Sequence, residues 1–149
     1  MMSRIKHSGL MRICVIDGQG GGIGSAVIKK LKEIYGESIE IIALGTNAIA
    51  TSQMLKAKAN RGASGENAIV QTTGNVDVII GTIGILLAHS MMGEVTPRMA
   101  EAIAASAARK IIIPISQENV EIVGISSMPL PHFIDVLIQK NLKFLDEGI

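Results

Sequence analysis

The stretch Asp17-Gly18-Gln19-Gly20-Gly21-Gly22-Ile23-Gly24 stands directly behind the apolar run Met11–Ile16. Five glycines within eight residues are expensive to order, because each loses more backbone freedom on folding than any other residue. Helical spacing follows at once: Ile23, Ala26, Val27, Leu31 and Ile34 share one face, with Lys29, Lys32 and Glu33 outward. A buried strand that enters a helix through glycines makes an anion seat. The first N–H groups of a helix lack internal partners and carry partial positive charge. Without Cβ atoms in the way, a phosphate comes close to them. Gly22-Ile23-Gly24-Ser25 opens the helix, and Ser25 offers a hydroxyl in addition. A sharp turn and close helix–strand packing would also call for glycine, but one or two would serve.

The rest of the chain repeats the alternation. Gly36 stops the first helix and Ile39–Leu44 is the next strand, broken by Gly45. Asn47–Ala59 reads as helix, and Arg61–Gly65 as a break. Glu66–Thr73 reads as a helix with Ser64 as its cap, or as a short strand around Ile69 and Val70. Val76–Ile80 is a third strand, and a loop rich in Gly and Met runs from Gly81 to Val95. Thr96-Pro97 starts a helix as cap and first residue. Lys110–Ile115 is the fourth strand. The link Ser116–Asn119 is too short for a crossover helix, so Val120–Ile125 is expected as an antiparallel edge strand. A last helix spans Pro131 to Asp146.

This is an α/β chain with a three-layer, Rossmann-like or flavodoxin-like sheet of about five strands, mostly parallel. The expected strand order is 2-1-3-4-5, with the last strand reversed; a further strand near Ile69 would shift it toward the other doubly wound order. With 149 residues, the chain suits one domain over 11–149, behind a flexible extension over 1–10. Aromatics are 2% of residues and the net charge is +1, without the basic stripe and stacking aromatics of a nucleic-acid surface. No apolar stretch is long enough for a membrane span. The single cysteine, Cys14, reads as a buried small hydrophobe, in keeping with a reducing cytoplasm.

In such a sheet, ligands sit beyond the carboxyl ends of the strands where the order reverses. That point falls between the first and third strands, and the loops beside it are Gly18–Gly24 and Gly81, Thr82 and Gly84. Thr46 and Asn47 lie at the same end, where NAD sites place an acid and NADP sites a base; two neutral groups leave that choice undecided. Asn47 equally suits capping the next helix. Asp17 suits a ribose, a metal or a substrate amine, and equally the loop amides themselves. The site set is therefore Asp17, Gly18, Gln19, Gly20, Gly21, Gly22, Ile23, Gly24, Thr46, Asn47, Gly81, Thr82 and Gly84. NAD or NADP, or another phosphate-containing nucleotide, is the expected cofactor.

No catalytic constellation accompanies it, and the reaction is left open. His7, His89 and His132 match no metal spacing. His89 reads as a surface histidine and Glu94 as a helix-start charge; Ser116 and Gln117 end the fourth strand near the site. Apolar residues of the last helix, with Met91 and Met92, exceed what one core face takes up, so a homodimer is expected through that helix or the long loop. A sensor or interaction module on the same scaffold is the alternative function.

The loop is neither G-x-x-x-x-G-K-[ST] nor G-x-G-x-x-G. Gly18-x-x-x-Gly22-Ile23-Gly24 resembles the T-G-x-x-x-G-I-G loop of short-chain dehydrogenases, with Asp17 for Thr. Asn75–Gly84 resembles that family's strand ending in N-N-A-G. The family's catalytic Tyr-x-x-x-Lys has no counterpart, since Tyr35 is the only tyrosine and Ile39 follows four residues later. The resemblance thus implies a cofactor-binding half without that chemistry. Gly20–Ser25 also resembles the glycine loop of tubulin-like GTPases, with Ala26 at that motif's last glycine. From Met11 onward the whole chain resembles a family of short bacterial proteins of unknown function, sharing DGQGGGIG, GTNAIAT, GENAIV, VIIGTIGI and GEVTP. That resemblance implies no activity.

Overall fold

The alternating pattern closes into one five-stranded sheet with helices on both faces. The computed structural model describes residues 9–115 and 118–146. Its strands are β1 (Met11–Asp17), β2 (Ile39–Gly45), β3 (Arg61–Ser64), β4 (Val78–Thr82) and β5 (Arg109–Ile113). Its helices are α1 (Gly22–Tyr35), α2 (Ala48–Lys56), α3 (Glu66–Thr72), α4 (Pro97–Ala105), α5 (Leu130–Val136) and α6 (Lys143–Asp146). The order is β3-β2-β1-β4-β5, and every pairing is parallel. This is the first five positions of a doubly wound Rossmann sheet.

Strand periodicity assigns the two faces. Ile13 and Val15 of β1 point with Val78 and Ile80 of β4 toward Val27, Ile28 and Leu31 of α1, Met54 of α2 and Phe133 and Ile134 of α5. Cys14, Ile16, Leu44 and Ile79 point the other way, toward Ile69 of α3 and Met99 and Ile103 of α4. Cys14 is fully buried, and burial pushes its thiol pKa far up, which leaves it an inert apolar group.

Several boundaries agree with the sequence reading. Thr96 caps α4 by accepting from the Met99 amide, with Pro97 opening the helix. Glu66–Thr72 is helix, with Ile69 wholly buried, so no strand forms there. Gly65 rather than Ser64 precedes that helix.

Two expectations are corrected. The fifth strand is not antiparallel and does not lie over Val120–Ile125. The Ile115 amide turns back to the Ile113 carbonyl, which ends the extended backbone of β5. Val123-Gly124 then forms a turn, with Gly124 at φ +89°. The fifth strand is β3, at the opposite edge, within what reads as a break. Its four residues are all exposed, so no apolar alternation marks it; its register on β2 runs from Ile42↔Arg61 to Gly45↔Ser64.

The last helix is also interrupted, since Leu137–Asn141 winds as a π-helix between α5 and α6. Ser116, Gln117 and most of the expected extension, residues 1–8 with His7, lie outside the described residues. Among the described residues no helix is long and apolar enough to cross a membrane.

Candidate functional site

β1 delivers Asp17 to the carboxyl end of the sheet, where it is 7% exposed. The chain reverses around it. The Gly18 amide donates to Asp17 Oδ1 at 2.8 Å, and the Gly24 amide, inside the first turn of α1, donates to Oδ2 at 2.7 Å. Asp17 thereby does the work of an N-cap, for α1 has no side-chain cap at Gly21. The Gly21 amide bonds to the Gly18 carbonyl at 2.9 Å, closing the loop on itself. The Ser25 hydroxyl donates to the Gly21 carbonyl at 2.7 Å, so it stabilises the helix rather than facing outward.

The five glycines divide by what a side chain would meet. At Gly24 a Cβ would fall 2.9 Å from Asp17 Cβ and 2.6 Å from Met54 Sδ. At Gly18 it would fall 2.5 Å from Thr46 Oγ1. Gly21 has φ +74°, and a Cβ there would stand 2.8 Å from the Ala50 carbonyl oxygen. These three are required by packing and backbone shape. Gly20 and Gly22 have nothing within 4 Å of the Cβ position. Their amides meet no acceptor among the described residues. The bare part of the loop is therefore Gly20 and Gly22, on either side of the bonded Gly21.

A crevice of about 230 Å³ lies between the ends of β1 and β4, where the strand order reverses. Asp17, Gln19, Ile23, Thr82 and Gly84 line it, as does the set Met91, Met92, Ile115 and Glu118. The first five belong to the site expected from sequence. Gly81 does not line it: a Cβ there would fall 2.5 Å from Ile85 Cδ1 and 3.0 Å from the Ile16 carbonyl oxygen, so packing within the sheet requires this glycine. His89 is exposed and outside the lining.

Thr46 and Asn47 lie beside the crevice rather than in its wall. Asn47 caps α2, accepting from the Ala50 amide at 2.8 Å. Its amide group also donates to Glu94 Oε1 at 2.9 Å, and the Thr46 hydroxyl donates to the same oxygen at 2.7 Å. The Gln19 amide completes the set at 2.7 Å. Glu94 thus ties the glycine loop, the end of β2 and the long loop after β4 together. The sequence hides this cluster, because its members are 47, 48 and 75 positions from Glu94. Met91 and Glu118 are joined as well, the Met91 amide donating to Glu118 Oε1 at 2.6 Å.

The two carboxyls by the loop are shifted in opposite directions. Burial pushes the Asp17 pKa up; the Gly24 and Gly18 amides pull it back, Glu94 adds a further upward push, and the net is a raised value. For Glu94, burial raises the pKa, but the bonds from Gln19, Thr46 and Asn47 outweigh it and the net is lowered. Among the described residues the crevice lining contains two carboxyls and no Lys, Arg or His. Among the described residues no group of three His, Cys, Asp or Glu is placed to hold a metal. An anionic ligand group is therefore disfavoured inside the crevice and favoured at the Gly20 and Gly22 amides, while hydroxyl or amine groups suit the interior.

The family described as a domain of unknown function, DUF3842, has a model that matches residues 12–146. No curated protein matches the chain. Among solved structures, a universal stress protein in complex with cAMP is similar at 18% identity, covering 71% of this chain and 98% of its own, with a TM-score of 0.40. A likeness of that degree carries nothing about the ligand.

Proposed function

The chain belongs to the DUF3842 family, and we propose that it binds a phosphate-containing nucleotide at the switch point between β1 and β4. The observation that carries this is the pair of amides at Gly20 and Gly22, which meet no acceptor among the described residues, at positions where a Cβ would have nothing within 4 Å, flanked in the chain by the crevice residues Gln19 and Ile23. Phosphate sits on those amides. The nucleoside turns into the crevice, where Asp17 and Glu118 accept from sugar hydroxyls and Met91 and Ile115 supply apolar contact. NAD is the dinucleotide this arrangement favours over NADP. Glu94, held at the end of β2, puts negative charge where a 2′-phosphate would come.

One observation supports a second reading, a sensor or interaction module that carries no cofactor. The amides of Gly18, Gln19 and Gly24 are already satisfied by the chain's own carboxylates, so the loop is partly closed without a ligand. A thermal-shift panel of NAD, NADP, ATP, GTP, flavin and cyclic nucleotides separates the two. A bound nucleotide at a hundredfold over its dissociation constant adds about 2.7 kcal/mol. A panel without any shift supports the module and rejects nucleotide binding.

A further inference from the structure

The segment that leaves the sheet after β5 turns at Val123-Gly124 and presents apolar side chains to solvent. Val123, at its tip, is 99% exposed, and Val120, Ile122 and Ile125 are each at least 39% exposed. A run of four such residues within six is not a surface that a solitary domain ordinarily displays. Beside it, β5 pairs only with β4, so its outer edge is without a ladder among the described residues. An open edge of this kind is a template for association. Along β5 runs a groove of about 510 Å³, walled by Ile113, Phe133, Val136 and Leu137 and, at its end beside the turn, by Ile125.

Charge points in the same direction. Arg109, Lys110 and Lys140 line the groove; none has a carboxylate partner among the described residues, though Lys110 donates to the Ser106 and Ala108 carbonyls, which leaves Arg109 and Lys140 as the rim charges. Arg109 instead lies over the Phe144 ring, 4.0 Å from its centroid. The exposed turn carries Glu121, likewise without a cationic partner among the described residues. One chain thus bears an apolar knob with an acidic flank and an apolar groove with a basic rim.

We infer that the occupant of the groove is a second copy of this chain. The exposed part of the turn, residues 120–123, of each protomer inserts beside β5 of the other, and a two-fold axis satisfies both knobs and both grooves at once. This interface uses the last helix, which walls the groove, and not the long loop after β4. It does not depend on nucleotide binding.

Sedimentation velocity of the full chain across micromolar concentrations tests it. The wild type is expected to sediment as a dimer. Val123→Asp, at a position with no packing to lose, is expected to weaken dimerisation by about ten-fold or more, with an unchanged circular dichroism spectrum. Lys140→Glu, also exposed, is expected to weaken it through the rim charge. A wild type that stays monomeric overturns the inference. So does a Val123→Asp chain that dimerises as before, which puts the interface elsewhere, or a Lys140→Glu chain indistinguishable from wild type, which removes the reason for choosing this groove.

Discussion

The Gly24 amide donates to Oδ2 of Asp17 at 2.7 Å, bringing the last glycine of the loop back onto the residue that precedes its first. That bond makes one carboxyl both the floor of the crevice and the cap of the helix above it. It also narrows the anion seat from the whole helix mouth to the Gly20 and Gly22 amides.

Asp17 gives the loop a pH dependence of unusual sign. Its folded pKa is raised, so below the ordinary aspartate value of about 3.9 both states hold the proton. As pH rises past that value the unfolded chain ionises first, and stability falls until the folded pKa has been passed. Asp17→Asn lacks this loss but keeps only one acceptor oxygen for two amides. The melting temperature of wild type relative to Asp17→Asn is expected to decline between acid and neutral pH. A constant difference contradicts the assignment.

Glu94 is expected to behave in the opposite way. Its folded pKa is lowered, so its contribution is present above the ordinary glutamate value of about 4.3 and fades as pH falls through the folded value. Glu94→Ala deprives Gln19, Thr46 and Asn47 of one shared acceptor, at a cost of about 1 kcal/mol for a partly exposed group. Hydrogen exchange is expected to quicken in the glycine loop and in residues 87–95 together. Faster exchange in only one of the two segments means that Glu94 does not join them.

The loop glycines are expected to fall into two classes. Gly21→Ala forces an alanine to φ +74° and against the Ala50 carbonyl, costing about 2 kcal/mol or more. Gly20→Ala adds a methyl group to open space and is expected to stay within about 0.5 kcal/mol of wild type. Chemical denaturation of the two variants measures this directly.

The reversal point and the crevice beside it are legible in the sequence because strong local signals mark them. β1, β2 and β4 are continuous apolar runs, and the glycine loop and Thr96-Pro97 punctuate them. β3 escapes notice because Arg61-Gly62-Ala63-Ser64 buries no side chain; only main-chain pairing with β2 makes it a strand. Val120–Ile125 misleads for the converse reason. It has strand-like residues, but the turn at Val123-Gly124 breaks the extended backbone, and no ladder forms there despite the open edge of β5. The Glu94 cluster rests on contacts between distant loops, which no local pattern encodes.

Gly22→Val is the most direct test of the anion seat. The substitution adds a branched side chain beside the Gly22 amide, at a Cβ position with nothing within 4 Å, and leaves the packed glycines as they are. Calorimetric titration of NAD and the other nucleotides into wild type and Gly22→Val, with melting curves of both, is the measurement. The expected result is binding to wild type, none detectable to the variant, and melting curves that coincide without ligand. Equal nucleotide affinity in the two chains, or no binding to wild type, contradicts a phosphate seat at these amides.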